Sequence, residues 1–303
     1  MAKSFSQAGT DFITLSNDSS SANRTLGNSL MNMCIKDVLA KGDFNFFKDS
    51  GTFATGTSVQ DYNAPHDANK IEYVTLTAGS VKYTPREVRD EESWFLLNNV
   101  TITSDIPNYW YVSPRTKQIS LFPIPSTRGN IIEIGWTKKT RDLGVADYST
   151  GTVLATLGST SIAGGGSPSW NAKMIGSFIK LSNTNTELDD FWLEIKDVIG
   201  TNRIITKEQS PATATTASGS YTIAEMVPFP DGYENIPLWY ALDSYYQMRE
   251  RPAQASWWEK KWKEGVEEME RRDIRSVTGV LTKQKPLDFV DPNLNSWGIN
   301  LTS

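Results

Sequence analysis

Apolar residues near the start of the chain recur at a helical spacing. The repeat lies between residues 21 and 41 and predicts a helix there, which we expect to end at Gly42 in a left-handed conformation. Its apolar face is formed by Leu26, Leu30, Met33 or Cys34, and Val38. The aromatic run 44–47 follows directly, and we expect it to pack in a core.

From about residue 50 to 140 the pattern changes to short runs with strand character, separated by turn residues. These runs predict strands at 71–76, 94–103, 109–112, 117–122 and 130–136. In the last run Ile132, Ile134 and Trp136 alternate with other residues, so they share one face of the strand. The charged segment 84–92 is compatible with a short helix.

A shift in composition marks the middle of the chain. Gly, Ser, Thr and Ala dominate residues 144–168 and again 211–220. Strand-like runs occur between and beside these stretches, at 174–181, 190–199, 203–207 and 221–223. The pattern predicts a small all-β module over 150–225 with long polar turns, inserted between the preceding sheet and the helices that follow.

Two helices are predicted after this module, the second opening at Pro252. Each carries one apolar stripe at helical spacing, and the polar faces hold mixed charge. We expect the stripes to form a helix seam, within one subunit or between subunits. The seam residues are Leu238, Leu242, Tyr245, Trp258, Trp262, Val266 and Met269.

The two ends of the chain lack a long period. Residues 1–20 are rich in polar and small residues and predict an extended N-terminal arm, with one possible strand at 12–15. Residues 276–303 predict an extended C-terminal arm, because Pro286 and Pro292 interrupt any regular element. The C-terminal arm nevertheless carries apolar side chains that a solvated tail does not need: Leu281, Leu287, Phe289, Val290, Leu294 and Trp297.

These patterns predict an α+β fold in which helices at both ends pack around an antiparallel sheet. The expected organisation is an N-terminal arm at 1–20, a core formed by 21–149 with 226–275, the β module at 150–225, and a C-terminal arm at 276–303. A length of 303 residues fits about two domains.

Composition excludes some functional classes. The net charge is −5, which argues against a nucleic-acid reader that works by bulk basic charge. No apolar run approaches the roughly 18 residues of a membrane helix, and the first residues lack the apolar core of a secretory signal. We therefore expect no membrane partner.

Residues suited to catalysis are scarce. The chain has one cysteine, Cys34, in the helical pattern, and one histidine, His66, in a polar turn. No phosphate-binding glycine loop, nucleophile elbow or zinc-binding motif occurs, and paired acids such as Asp189 and Asp190 are adjacent and diverge. We therefore expect no catalytic, cofactor-binding or metal-binding residues, and a protein that is not an enzyme.

One stretch resembles a known family. Residues 106–143 combine an aromatic strand after a proline, an I-x-L-F-P-x-P run, and a strand that ends in a basic aromatic turn. The pattern is similar to head-to-tail adaptor (connector) proteins of tailed bacteriophages, the tail tubular protein A or portal-adaptor family. The matching residues are Pro107, Tyr109, Trp110, Ile119, Leu121, Phe122, Pro123, Pro125, Ile134 and Trp136.

Further segments share the resemblance. Residues 37–47 are similar to the family's first helix and its aromatic exit, and 229–272 to its closing helical pair. Residues 158–181 with 221–223 are similar to small β modules of phage connector and tail proteins. The segment 57–68 departs from the family, since it lacks the Y-x-L-P run found there and reads DYNAPHDA at its end.

The resemblance implies a structural virion protein of the phage neck, assembled in the host cytoplasm. Such a protein docks on the portal ring as a homo-oligomer of about twelve copies, extends the channel for double-stranded DNA without reading its sequence, and contacts a tail or nozzle protein. The C-terminal arm is then the candidate portal-docking segment, and its prolines lower the entropy cost of docking.

Two other functions remain open from the sequence. A tail tube, nozzle or fibre-attachment protein shares the β content and the absence of catalytic motifs. A tail-associated polysaccharide-degrading enzyme is a third hypothesis. Against it stand the short length, the absence of a β-helix repeat and the absence of a carboxylate cleft in the pattern.

Overall fold

The computed structural model describes residues 3–144, 146–182, 192–210 and 219–283, with side chains up to residue 273. The fold is mixed α+β, with helices towards both ends of the described chain and antiparallel sheets between them. The helices are α1 Phe5–Ser16, α2 Ser21–Lys41, α3 Glu91–Leu97, α4 Ile236–Met248 and α5 Pro252–Lys283.

The strands fall into two groups along the chain. The first group comprises β1 Lys48–Ala54, β2 Asp61–Asn63, β3 Ala68–Ala78, β4 Val81–Tyr83, β5 Arg86–Glu87, β6 Thr103–Ser104, β7 Tyr109–Val112, β8 Gln118–Phe122, β9 Ile124–Pro125 and β10 Ile131–Lys138. The second comprises β11 Thr152–Ala155, β12 Ser161–Gly165, β13 Phe178–Ser182, β14 Trp192–Ile199, β15 Arg203–Thr206 and β16 Ser220–Ala224.

The described residues form two compact units, one at 43–141 and one made of the chain up to residue 42 together with the chain from 142 onward. The boundaries between these units, after residues 42 and 141, differ from the predicted domain boundaries. Those boundaries placed 21–149 and 226–275 in one core and set 150–225 apart as a module. In the structure the helices at both ends and the second group of strands share a unit.

The unit at 43–141 contains two four-stranded sheets, ordered β1-β10-β3-β4 and β2-β8-β7-β5. The predicted strands at 71–76, 109–112, 117–122 and 130–136 are confirmed as β3, β7, β8 and β10. The core between them is apolar because alternate residues of each strand point inward. Its buried members are Ile71, Val74, Leu76, Trp110, Ile119, Leu121, Ile132, Ile134 and Trp136.

The predicted strand at 94–103 is wrong, because α3 occupies 91–97 instead. The predicted short helix at 84–92 is also wrong for most of its length, since β5 lies within it. The physical reason is the N-terminal cap. The Asp90 carboxylate accepts a hydrogen bond of 2.6 Å from the Ser93 backbone N–H, and two acidic residues follow in the first turn, where the helix dipole favours them.

The second group of strands builds one six-stranded sheet in the order β11-β12-β15-β14-β13-β16. The sheet curls until its first and last strands meet, and the Val153 N–H donates a hydrogen bond of 2.9 Å to the Gly219 carbonyl. This curvature encloses a core of its own. The core residues are Val153, Ala155, Ile162, Trp170, Met174, Ile179, Leu181, Leu193, Ile195, Ile204, Tyr221 and Ile223.

The N-terminal segment is a helix, so the prediction of an extended arm over 1–20 is wrong for 5–16. Its polar composition concealed a helical spacing of Phe5, Ala8 and Phe12, which are at most 1% exposed. The Ser4 hydroxyl accepts a hydrogen bond from the Gln7 N–H and caps the first turn. The helix therefore packs into the core instead of extending away from it.

The predicted helix over 21–41 is confirmed as α2, but its end differs from the prediction. Gly42 adopts an extended conformation with φ −119°, so the expected left-handed termination is wrong. Helices α1, α2, α4 and α5 pack on one another, with close contacts of α4 to α1, α2 and α5. This helical bundle sits in the same unit as the six-stranded sheet.

The start of the predicted C-terminal arm is also helical. Helix α5 continues through Lys283, so residues 276–283, including Leu281, belong to it. No proline interrupts the helix between Pro252 and Pro286, and a helix once formed extends at little cost. The other arm residues, Leu287, Phe289, Val290, Leu294 and Trp297, lie outside the described residues.

Candidate functional site: the α4–α5 helix pair

Helix α4 is buried on two opposite faces. The predicted stripe of Leu238, Leu242 and Tyr245 is at most 6% exposed. This stripe faces the N-terminal helices, because the Tyr245 ring meets the Phe12 ring of α1 edge-on at 5.6 Å between centroids. Helical geometry places Ile236, Trp239, Tyr240 and Asp243 about half a turn away from it, and these residues face α5. The predicted seam residues therefore lie at two helix interfaces.

Helix α5 places its predicted stripe against α4. Met269 is 1% exposed, whereas Trp258, Trp262 and Val266 are half-buried. Ala255 extends the stripe by one turn towards the start of the helix and is 3% exposed. The tryptophans of the stripe thus pack with one edge on α4 and keep another edge at the surface.

A buried carboxylate lies at the centre of the α4–α5 contact. Asp243 is 4% exposed, and its Oδ2 accepts a hydrogen bond of 3.0 Å from the Trp262 Nε1–H. Its Oδ1 accepts a second hydrogen bond of 2.7 Å from the Gln247 side chain. Burying a carboxylate lowers stability unless it is hydrogen-bonded. The bond between Asp243 and Trp262 therefore fixes the position of Trp262 along α4.

Tyr240 connects the pair to α2. Its ring meets that of Trp262 edge-on at 5.3 Å. Burial raises the pKa of Tyr240, and the negative charge of Asp37 on α2 adds to this effect. Burial likewise raises the pKa of the Cys34 thiol, which is 1% exposed. A thiol that stays protonated is a poor nucleophile, so Cys34 fills space in the bundle.

An aromatic cluster with one lysine covers the outer edge of the helix pair. The Lys261 ammonium lies 4.0 Å from the ring centre of Trp257, 5.6 Å from that of Trp258 and 5.7 Å from that of Trp239. These are cation–π distances. Trp257 is 51% exposed, the only tryptophan among the large exposed hydrophobic residues of the described chain.

Sequence reasoning missed several members of this pair: Trp239, Tyr240, Asp243, Gly265 and Lys261. The role of Gly265 is to allow the close approach of α4 and α5, because a Cβ at this position would lie 3.0 Å from the Ile236 side chain. This contact is visible only in the tertiary structure. Asp243 is the only charged residue of α4. The available signal was the aromatic residue on each side of the main stripe, which indicates a helix buried on two faces.

A surface depression with a volume of about 520 Å³ lies elsewhere, beside α2. Its charged residues, Lys36 and Asp142, form an ion pair at 2.5 Å. Asn32 spans its floor, because its side chain makes hydrogen bonds of 2.7 and 2.9 Å with the Leu143 carbonyl and N–H. These contacts attach the chain after residue 141 to α2.

Two further observations concern the described residues. No cluster of three or more histidine, cysteine or acidic side chains is arranged to hold a metal ion within them. None of the helices in that part of the chain has both the length and the apolar character needed to cross a membrane.

Comparisons with known proteins do not assign this chain to a family. No protein-family model matches it, and no curated protein does.

Proposed function

We propose that this protein is a head-to-tail adaptor of a tailed bacteriophage, a structural component that docks on the portal ring and continues the DNA channel towards the tail. The carrying observation is the α4–α5 helix pair, whose buried face is complete while its outer edge presents a half-exposed aromatic cluster. Exposed tryptophans on a rigid helix are typical of protein–protein contacts.

The resemblance in 106–143 supports the same function. Its apolar residues Trp110, Leu121 and Trp136 are buried in the unit at 43–141, where they belong to one apolar core. The segment 229–272 spans α4 and the larger part of α5. The similarity thus includes core positions of two sheets and one helix pair.

The length of α5 provides a route to the portal. Its backbone continues as a helix for ten residues beyond Asp273, a distance of about 15 Å. We propose that this extension carries the arm residues Leu287, Phe289, Val290, Leu294 and Trp297 to clefts of the portal ring. Repeating one weak contact around a ring of about twelve copies gives high avidity.

The charge balance suits a conduit. A lysine- and arginine-rich channel holds DNA phosphates through counterion release, whereas a protein with net charge −5 gains little from such binding. Because the DNA has to slide through the proposed channel, weak binding is the useful property. We therefore place double-stranded DNA among the partners without sequence recognition.

The direct test is reconstitution with the portal protein encoded in the same genome. Co-purification should yield one particle, and electron microscopy should show a second ring of about twelve subunits under the portal. A chain truncated after Lys283 should fold with an unchanged helical signal and lose portal binding. The matched control carries Asp288→Asn, which alters the arm without removing an apolar group.

Other results would redirect the assignment. Portal rings without bound protein, together with binding to tail particles, would favour a tail tube or nozzle protein. Release of reducing sugar from capsular polysaccharide would favour the enzyme hypothesis. If the truncated chain binds portal at full stoichiometry, the arm is not the anchor.

A further inference from the structure

A second apolar surface lies on the unit at 43–141. Four large apolar residues within eight positions are exposed there, and we call them the α3 patch: Phe95 (71%), Leu96 (67%), Val100 (61%) and Ile102 (46%). Four large exposed apolar side chains this close in the sequence are unusual for a soluble protein, and exposed apolar groups of this kind mark interaction sites.

The α3 patch is held in place from both sides. Trp94 is 8% exposed and stacks on Tyr111 at 5.3 Å, which fixes the inner face of α3. The Gln60 side chain donates a hydrogen bond of 2.8 Å to Asn98 at the end of the helix, and the Ile102 carbonyl accepts one of 2.9 Å from the Ile124 N–H. A surface fixed in this way loses little entropy on binding.

The rim of the α3 patch is acidic. Asp90, Glu91 and Glu92 lie directly before Phe95 and are all exposed. Neither Glu91 nor Glu92 makes an ion pair with any described residue, and Arg89, close in the sequence, pairs with Glu87 at 3.1 Å. The patch therefore presents apolar side chains beside unneutralised negative charge.

The outer edge of α5 has the opposite character. Trp257 is 51% exposed, and Lys260 and Lys261 lie close to it in the sequence, whereas Lys263 pairs with Glu259 at 2.5 Å. Lys261 lies over the Trp257 ring and forms no ion pair within the described chain. Lys260 approaches Glu264 only to 3.8 Å. We call Trp257, Lys260 and Lys261 the α5 edge.

We propose that the α3 patch of one copy binds the α5 edge of a second copy of this chain. Pairing two α3 patches about a twofold axis would oppose like charges, and the same holds for two α5 edges. The complementary pairing is heterologous, with one different surface on each partner. Such contacts repeat from copy to copy and generate a ring or a filament. The inference rests on the proposed function for its closure into a ring.

Crosslinking tests the pairing. Cys34 is the only native cysteine and is buried, so engineered thiols are the reactive ones. Asn99→Cys with Ser256→Cys places one exposed thiol beside each surface without removing an apolar contact. Treatment with a flexible bis-maleimide should give a ladder of trimers and larger species. A mixture of the two single variants should stop at dimers.

Two matched variants test specificity. Asn99→Cys with Leu157→Cys, whose second site is exposed in the turn after β11, should give no ladder. In the original pair, Glu91→Lys with Glu92→Lys should reduce the ladder roughly tenfold, and adding Lys260→Glu with Lys261→Glu should restore it. A ladder that is absent, or that ignores both charge reversals, overturns the inference.

The outcomes separate this inference from the proposed function. Portal binding without a ladder would remove the α3–α5 pairing and leave the adaptor proposal standing. A charge-dependent ladder in a protein that never binds portal would support the pairing and remove the adaptor proposal. Loss of portal binding in Leu96→Glu, without a ladder in the double-cysteine variant, would assign the α3 patch to the portal and overturn the pairing.

Discussion

The six-stranded sheet and the α4–α5 helix pair bury their tryptophans to different extents and give the indole N–H different hydrogen-bond partners. Trp170 of the sheet is 1% exposed, and its Nε1–H donates a hydrogen bond of 2.9 Å to the Tyr221 hydroxyl. That hydroxyl donates onward to the Thr150 carbonyl, and burial raises the pKa of Tyr221 to about 12. In the helix pair Trp262 bonds a carboxylate, and its ring remains half-buried.

The difference in burial follows from the shape of the two elements. A curled sheet surrounds its core, so each apolar residue inside finds neighbours within the same module. Two packed helices cannot enclose a core between them. Their outer faces contact another helix, solvent or a partner protein. In this protein α1 and α2 cover one side of α4, and the α5 edge stays open. The apolar core of the sheet is thus enclosed within the module, whereas the helix pair leaves Trp257 half-exposed.

The largest effect is expected from Trp170→Ala. Removing a fully buried tryptophan leaves a cavity and should lower the free energy of unfolding by about 3–5 kcal/mol, measured by urea titration. Trp192→Ala on the same sheet is the matched control, because that ring is half-buried, and should cost clearly less. Equal losses would show that the closed core has no special weight.

The polar contact of the helix pair should rank next. Trp262→Phe keeps most of the ring and removes its N–H, which leaves an oxygen of Asp243 without its donor. We expect a loss of about 1–3 kcal/mol. In Asp243→Leu the same Trp262→Phe change should cost much less, because no buried acceptor is left unpaired. Additive losses in this double-mutant cycle would contradict a coupled pair.

A smaller loss should follow from Gly27→Ala. A Cβ at this position of α2 lies 2.4 Å from the Phe12 ring of α1, so one helix has to shift. Overpacking costs about 1–3 kcal/mol, and the better helix propensity of alanine offsets up to about 1 kcal/mol. Gly144→Ala, with open space around its Cβ, should leave the melting temperature unchanged. A neutral Gly27→Ala would argue against the packing of α1 on α2.

The smallest effect on the helices should come from removing the sheet itself. Tyr148 and Ile223 exchange two backbone hydrogen bonds of 2.8 and 2.7 Å, which is the geometry that a two-residue turn closes. Replacing 149–222 by Asn-Gly, with Tyr148→Thr and Ile223→Thr, should leave a cooperatively folded remainder by circular dichroism. Glu225 is retained because its carbonyl accepts the Phe5 N–H. Loss of the helical signal would show that the sheet is not self-sufficient.

The sequence was a good guide wherever a local period decides the structure. Ile132, Ile134 and Trp136 alternate and are buried together, and the stripe from Trp258 to Met269 faces α4. In both cases the burial of one face follows from spacing alone. The seven seam residues were identified in the same way, although their division between two interfaces was not visible.

The prediction was wrong in two segments where it followed amino-acid composition and not the spacing of apolar residues. The polar residues of 5–16 concealed three buried residues at helical positions, and the apolar run after residue 93 concealed a capped helix with one buried side chain, Trp94. In both segments an N-terminal cap, Ser4 or Asp90, stabilises the helix. Each cap does so through a single hydrogen bond from a backbone N–H. One residue of this kind contributes little to an average over a window.

The sequence by itself determined helix α2, the strands β3, β7, β8 and β10, the two apolar stripes of the helix pair and the scarcity of residues suited to catalysis. Only the tertiary structure decided that Asp243 bonds Trp262, that Lys261 lies among three tryptophans, and that Phe95 and Leu96 stay exposed. These three facts join residues from separate turns or elements, or depend on which face lacks a neighbour. A local period specifies which residues share a face, and only the folded chain specifies what that face meets.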